Sequence, residues 1–282
     1  MKKQTSLFLA LVVASALAIT GCSNAETTDS ATSASCAKAD LATVASGKLT
    51  IATGEPAYYP WILDDAPETG TGFEGAVAYA VAKQLGFSND EVTWVRTTFD
   101  GAVAPGVKNF DFNLQQFSIT PERQEVVDFS SPYYTAPQAI VSYEGSKIAG
   151  KTSIADLKNA KLGAAVGTTS LDAIENQLGL KASVFNDNAA GVSALKNKQI
   201  DGLVVDLPTA FYLAGVEVEN GVIVGQLAPS GSGDQFGLLL TKGSALTSCV
   251  SGAVDAITAD GTLASITDTW LATNTGSPVL KP

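Results

Sequence analysis

The chain has 282 residues, with 28 acidic against 17 basic side chains, no histidine and a formal net charge of −11. Such acidity argues against nucleic acid as a partner, because that affinity rests on basic patches that neutralise phosphates. Without histidine, His-based nucleophilic triads and His-containing metal sites are excluded.

Lys2 and Lys3 precede an uncharged, mostly apolar run over residues 7–19 that ends in ITGC. This is the pattern of an export signal, with a cysteine where a lipid would be attached, and the run is shorter than the roughly 20 apolar residues that span a bilayer. Residues 1–21 are therefore expected to be a signal peptide and Cys22 a lipidation site. Losing two lysines takes the formal charge from −11 to −13. Residues 22–35, containing SNAETTDSATSA, have nothing large to bury and are expected to form a flexible tether. With Cys22 lipidated in an oxidising compartment, Cys36 and Cys249 are expected to form a disulfide.

In chain order, KLTIAT (48–53) predicts a buried strand. Residues 72–86 predict a helix, with Ala76, Val77, Ala80, Val81 and Leu85 at helical spacing and Gly86 as its stop. EVTWV is a second strand. Gly101, Pro105 and Gly106 then break the pattern before FDFNL. Residues 153–158 predict a capped helical turn, followed by the strand KLGAAV, a helix over 169–178, the strand ASVF, a helix over 188–196 and the strand GLVVD. Pro208 opens a further helix in PTAFYLA. This βαβαβα order predicts a second, parallel sheet. QFGLLLT is a late strand, and helices are expected over 245–259 and 263–271. A Cys36–Cys249 link would return that tail to the first lobe. The fold class is thus α/β, with two lobes joined by two crossings, near residues 135–142 and 230–236. The expected boundaries are 36–137 with 235–282 for the first lobe and 138–234 for the second.

Polar groups gather at strand ends. Gly167, Thr168 and Thr169 follow KLGAAV and open a helix, which suits either an anion or an ordinary cap. Asp206 ends GLVVD, where α/β proteins place ligands, or it caps the helix before Pro208. Ser118 and Thr120 precede Pro121, Glu122 and Arg123. Arginine in a first helical turn opposes the helix dipole unless it has an anion of its own; Glu122 or Glu125 could supply one at the surface. No GxxxxGK[ST] phosphate loop is present and no carboxylate pair stands out for hydrolysis.

The stretches FSITPERQEVVDFSSPYY, DLKNAKLGAAVGTTS and ALKNKQIDGLVVDLPTA, with the earlier GKLTIAT and GFEGAVAYAVAKQLGF, resemble the family 3 extracytoplasmic solute-binding proteins over about residues 49–271. The resemblance implies a two-lobed clamshell. It implies a monomeric, lipid-anchored receptor outside the cytoplasm that delivers a polar amino acid to ABC permease subunits, with no catalytic role, cofactor or metal. By the family's motifs, Arg123 would take the ligand's α-carboxylate with Ser118 and Thr169, Asp206 the α-ammonium, and Tyr58 would stack on the side chain, with Thr168 a further ligand-binding candidate. The chain departs from the family at Gln115, Gln116 and Phe117, where small residues are usual. Glu55, Trp61, Asp100 and the two glutamines are candidates for an unusual side-chain pocket. Amides suggest a neutral polar ligand end, Glu55 a cationic one, and the aromatics Tyr58, Tyr59, Trp61 and Trp94 a methylated ammonium. A dehydratase-like enzyme on the same fold and a sensory module without transport are the other classes.

Overall fold

The structure, a computed structural model, describes residues 35–229, 233–271 and 276–282. The expected signal peptide, Cys22 and nearly all of the tether lie outside the described residues. Among those described, no helix is long and apolar enough to cross a membrane.

The first half runs β1 (Leu49–Gly54), α1 (Phe73–Gln84), β2 (Val92–Thr97), α2 (Phe99–Val103), β3 (Phe112–Asn113), α3 (Pro121–Gln124) and β4 (Val127–Ala136). The chain then crosses to β5 (Gln138–Tyr143), β6 (Leu162–Ala165), α4 (Thr169–Asp172), β7 (Ser183–Phe185), α5 (Asn188–Lys196), β8 (Gly202–Asp206), α6 (Leu207–Tyr212) and β9 (Gly221–Gln226). It returns with β10 (Asp234–Thr241), α7 (Thr247–Ala259) and α8 (Thr262–Trp270). Two five-stranded sheets result, ordered β2-β1-β3-β10-β4 and β7-β6-β8-β5-β9.

Both sheets are mixed, which corrects the expectation of a parallel second sheet. β6, β7 and β8 are mutually parallel, but β5 pairs antiparallel with β8 and β9. In the first sheet β10 likewise runs antiparallel to β3 and β4. The parallel strands all end where the lobes meet. A strand arriving from the other lobe therefore starts at that edge and must run the opposite way. β5 and β10 are those arriving strands. β4, β5 and β9 escape the sequence reading. β4 carries Pro132 beside a register shift on an edge strand, where proline is tolerated.

Strand periodicity explains the unbroken apolar runs. In β10, Leu238 and Leu240 enter the core under α1, α7 and α8, while Leu239 enters the opposite core with Phe117 and Phe129. In the second lobe Leu203 and Val205 face one core and Val204 the other. Successive strand side chains point to opposite faces, so a sheet covered on both sides has no polar position. In α1 the buried stripe is Val77, Ala78, Val81 and Ala82, one position off the expected stripe at two of its places. Gly72 precedes this helix at φ +93°, and a Cβ there would lie 2.5 Å from the Trp61 carbonyl oxygen.

The last residues differ from the expected lobe boundaries. Val279 bridges to Gln226 and Lys281 to Ser153, and Leu280 is buried beside the second sheet. The chain thus passes between lobes a third time, beyond the two expected crossings, and its end belongs with the second lobe. Cys36 is bonded to Cys249 of α7 as expected, with a Cα–Cα distance of 5.4 Å.

That bond closes a loop of 213 residues. Chain-entropy reasoning puts its contribution at about 5 kcal/mol at most. Replacing both cysteines by serine is expected to lower stability by up to that amount in urea unfolding. Two free thiols in non-reduced mass spectrometry of the exported protein would refute the link.

Candidate functional site

A cavity of about 380 Å³ lies between the two sheets, in the size range of small-molecule sites. Its walls are the segments that follow parallel strands. β1 leads into Glu55 and Tyr58, β2 into Thr98, Phe99 and Asp100, and β3 into Gln115, Gln116 and Ser118. From the other lobe, β6 leads into Thr168 and Thr169, β7 into Asn186 and Asp187, and β8 ends on Asp206.

Among the described residues, Arg123 is the only basic one that lines the cavity. Thr120 caps its short helix by accepting from the Arg123 amide at 3.2 Å, with Pro121 in the first position. This turns the side chain inward, where it is 7% exposed. The guanidinium stacks over Phe99 at 5.2 Å, and Phe99 packs on Phe117 at 4.8 Å. It donates to the Ser118 carbonyl at 2.7 Å and across the lobes to the Gly167 carbonyl at 2.9 Å. Among the described residues it has no ion-pair partner, so neither Glu122 nor Glu125 is the anion that its position calls for. Burial holds its pKa below the usual arginine value, against the opposing charges of Asp234, Asp172, Asp206 and Glu122.

Gly167 sits at φ +70°, and a Cβ there would meet Asp100 Oδ1 at 2.8 Å. Glycine thus allows the β6 turn to approach the first lobe. Thr168 caps α4 by accepting from Leu171 at 3.2 Å. Thr169 Oγ1 lies 3.2 Å from Ser118 Oγ, across the lobes, and donates to Asp234 Oδ2 at 3.1 Å. Gln138, at the start of β5, donates to the same Asp234 oxygen at 2.6 Å and accepts from Ser170 at 2.6 Å. Both crossing strands are therefore tied to the cavity wall.

Asp206 stands at the N-cap position before Pro208 but makes no side-chain capping bond. Burial and the charges of Asp234 and Glu74 push its carboxyl up to about 8. Glu74 of α1 is fully buried and raised to about 7 by that burial, against bonds from Tyr133 and Gln116.

The two glutamines part company here. Gln116, in the left-handed region at φ +52°, donates its backbone N–H to Glu74 Oε1 at 2.8 Å and its side-chain amide to Oε2 at 2.5 Å. It borders the cavity with its amide already engaged. Gln115 accepts from Thr97 Oγ1 at 3.3 Å and keeps its amide nitrogen over Gly54. Trp61 does not reach the cavity. It is 1% exposed, packs among Phe73, Tyr134 and Phe236, and donates its indole N–H to Thr209 Oγ1 of the other lobe at 2.8 Å. Nor do Tyr59 and Trp94, whose rings pack on Tyr212 and Tyr79. Of the four aromatics considered for a methylated ammonium, Tyr58 alone borders the cavity. The sequence reading missed Thr98, Phe99, Asn186 and Asp187, although TTFDG and FNDNAA both follow strands, the same signal that exposed Thr169 and Asp206.

The chain belongs to the bacterial extracellular solute-binding proteins, family 3, whose model matches residues 49–273. It is 28% identical over 245 residues to the probable histidine-binding protein of Campylobacter jejuni, covering 86% of this chain and 87% of that protein. It is 30% identical over 220 residues to the L-cystine-binding protein TcyJ of Escherichia coli, covering 77% and 80%. Among solved structures, an ancestral arginine-binding protein bound to glutamine superposes with a TM-score of 0.67 at 31% identity, covering 80% of this chain and 98% of that one.

An acid whose pKa rises on folding holds its proton more tightly when native. Its contribution to stability is then present below the ordinary value of 3.8 and lost as pH climbs toward 8. The melting temperature of unliganded protein is expected to fall between pH 5 and pH 8, with Glu74 adding to the slope. Asp206→Asn should flatten it, and an unchanged slope in that variant would show that Asp206 does not carry the shift.

Proposed function

We propose that this protein is the solute receptor of an ABC importer, exported, held at the membrane by a lipid on Cys22, and capturing a zwitterionic polar amino acid between its two lobes for delivery to the permease. The observation that carries the reading is the juxtaposition in one cavity of a buried arginine without a carboxylate partner among the described residues and, from the other lobe, the carboxyl of Asp206, raised to about 8 in the unliganded protein and able to ionise beside a cationic group. An α-carboxylate on Arg123, with Ser118 and Thr169 beside it, and an α-ammonium on Asp206 would satisfy both. Charge-assisted bonds of this kind contribute roughly 1.5 to 3 kcal/mol each.

The two charges come from different lobes, so only the closed form satisfies a ligand at both ends. That differential affinity is what ligand-driven closure requires. The relatives' names, a histidine-binding and an L-cystine-binding protein, support the amino-acid class. Binding without turnover is the simpler reading, since the cavity's polar groups match a bound zwitterion and the relatives are named as binding proteins.

A thermal-shift screen of the twenty amino acids and common betaines should find at least one amino acid that stabilises by about 2.7 kcal/mol at a hundred times its dissociation constant. In calorimetry with that ligand, Arg123→Ala and Asp206→Ala should each weaken binding at least tenfold while circular dichroism shows both folded. Wild-type affinity in both variants would overturn the assignment, and no shift with any amino acid would overturn the solute class.

A further inference from the structure

The lobes also meet outside the cavity. The turn that follows β1 in the first lobe, residues 59–61, lies on α6 of the second. Trp61 donates its indole N–H to Thr209 Oγ1 at 2.8 Å, and the Tyr59 ring packs on the Tyr212 ring at 5.6 Å. Thr209 and Tyr212 are three residues apart on one helix, so they share a face. None of these four residues borders the cavity.

Both halves of the hydrogen bond are buried, with Trp61 1% exposed and Thr209 7%. In the first lobe Trp61 is surrounded by Phe73, Tyr134 and Phe236, whose ring centroids lie 5.8, 6.0 and 5.8 Å away. Tyr134 stands in β4 just before the chain leaves that lobe, and Phe236 in β10 just after it returns. The Trp61 backbone is fixed as well, its N–H donating to the Tyr58 carbonyl and its carbonyl accepting from Glu74 of α1, each at 2.9 Å. In the second lobe Leu207 starts α6 and donates its N–H to the carbonyl of Pro137, in the first crossing, at 2.9 Å. An indole held by one lobe thus meets a hydroxyl held by the other. Such a bond does not survive separation beyond about 3.5 Å, so parting the lobes has to break it.

We infer that Trp61 and Thr209 form a clasp that favours the closed arrangement of the lobes whether or not the cavity is filled, and that both are positioning residues for capture. The contact uses no group of the cavity, so it acts on the balance of open and closed forms before a solute arrives. A solute satisfied only by the closed form binds more tightly in proportion to the fraction already closed. Tyr58, which borders the cavity, belongs to the same turn, so the clasp also holds one residue of the wall.

The test needs no solute. Spin labels on Val107→Cys in the first lobe and Val184→Cys in the second, both exposed positions, report lobe separation in the mature protein by pulsed electron paramagnetic resonance. Solute-free protein should show a population at the separation seen in this structure. Trp61→Phe keeps a ring in the aromatic cluster and Thr209→Val keeps the shape of threonine. Each should lower the closed-to-open ratio about fivefold, the effect of one net hydrogen bond. Together they should do no more than either alone, because they remove the same bond, and Thr209→Ser should keep the parent ratio. A role in packing alone would give additive losses and a loss in the serine variant too. That result, ratios unchanged in the phenylalanine and valine variants, or parent protein found only in the open form would overturn the clasp and leave the receptor reading standing.

Discussion

The arrangement turns on one guanidinium that is buried without a carboxylate. A desolvated charge is costly unless it is hydrogen-bonded and paired, and Arg123 has only the first. Its bonds go to two carbonyl oxygens, one in each lobe. Those acceptors hold the fork in place without cancelling its charge, and Phe99 fixes the plane of the group. What is left is a buried, oriented positive charge on the cavity wall. The capping pair Thr120 and Pro121, the glycine at Gly167 and the aromatic Phe99 all serve to keep it in that condition.

The hinge follows from strand direction. Parallel strands deliver their loops to the edge where the lobes meet, so the strands that carry the chain across that edge must run against them. β5 and β10 do so, and their first residues, Gln138 and Asp234, bond each other and Thr169. A wall residue is therefore tied to both connections between the lobes. Movement of the hinge would be felt at Thr169, and contacts made there would be felt at the hinge.

The residues that could be read from sequence are those whose chemistry conflicts with their local setting. Arg123 opposes the dipole of its own helix turn, and Asp206 ends an apolar strand. Such conflicts need an outside partner, and the structure brings both to one cavity. Trp61 and Gln116 show the limit. Each looked available because its sequence neighbourhood offers no partner, but each is satisfied from far away, Trp61 by Thr209 and Gln116 by Glu74 of α1. Long-range bonds leave no trace in a local pattern. The same holds for β4, β5 and β9, whose pairing comes from the hinge topology and whose sequences carry proline, serine and glycine. The alternating βα units were legible because their apolar periods are local.

Glu74 sharpens the role of the unusual Gln-Gln pair. A carboxyl buried at 0% exposure in the first lobe must be protonated or well bonded, and Tyr133 and Gln116 provide three donors between them. The left-handed backbone of Gln116 costs on the order of 1 kcal/mol, which these bonds offset. Gln116 thereby ties this part of the wall to α1, and the charge of Glu74 adds to those that raise the Asp206 carboxyl. Both glutamines border the cavity, Gln115 with its amide nitrogen over Gly54 and Gln116 with its amide engaged by Glu74.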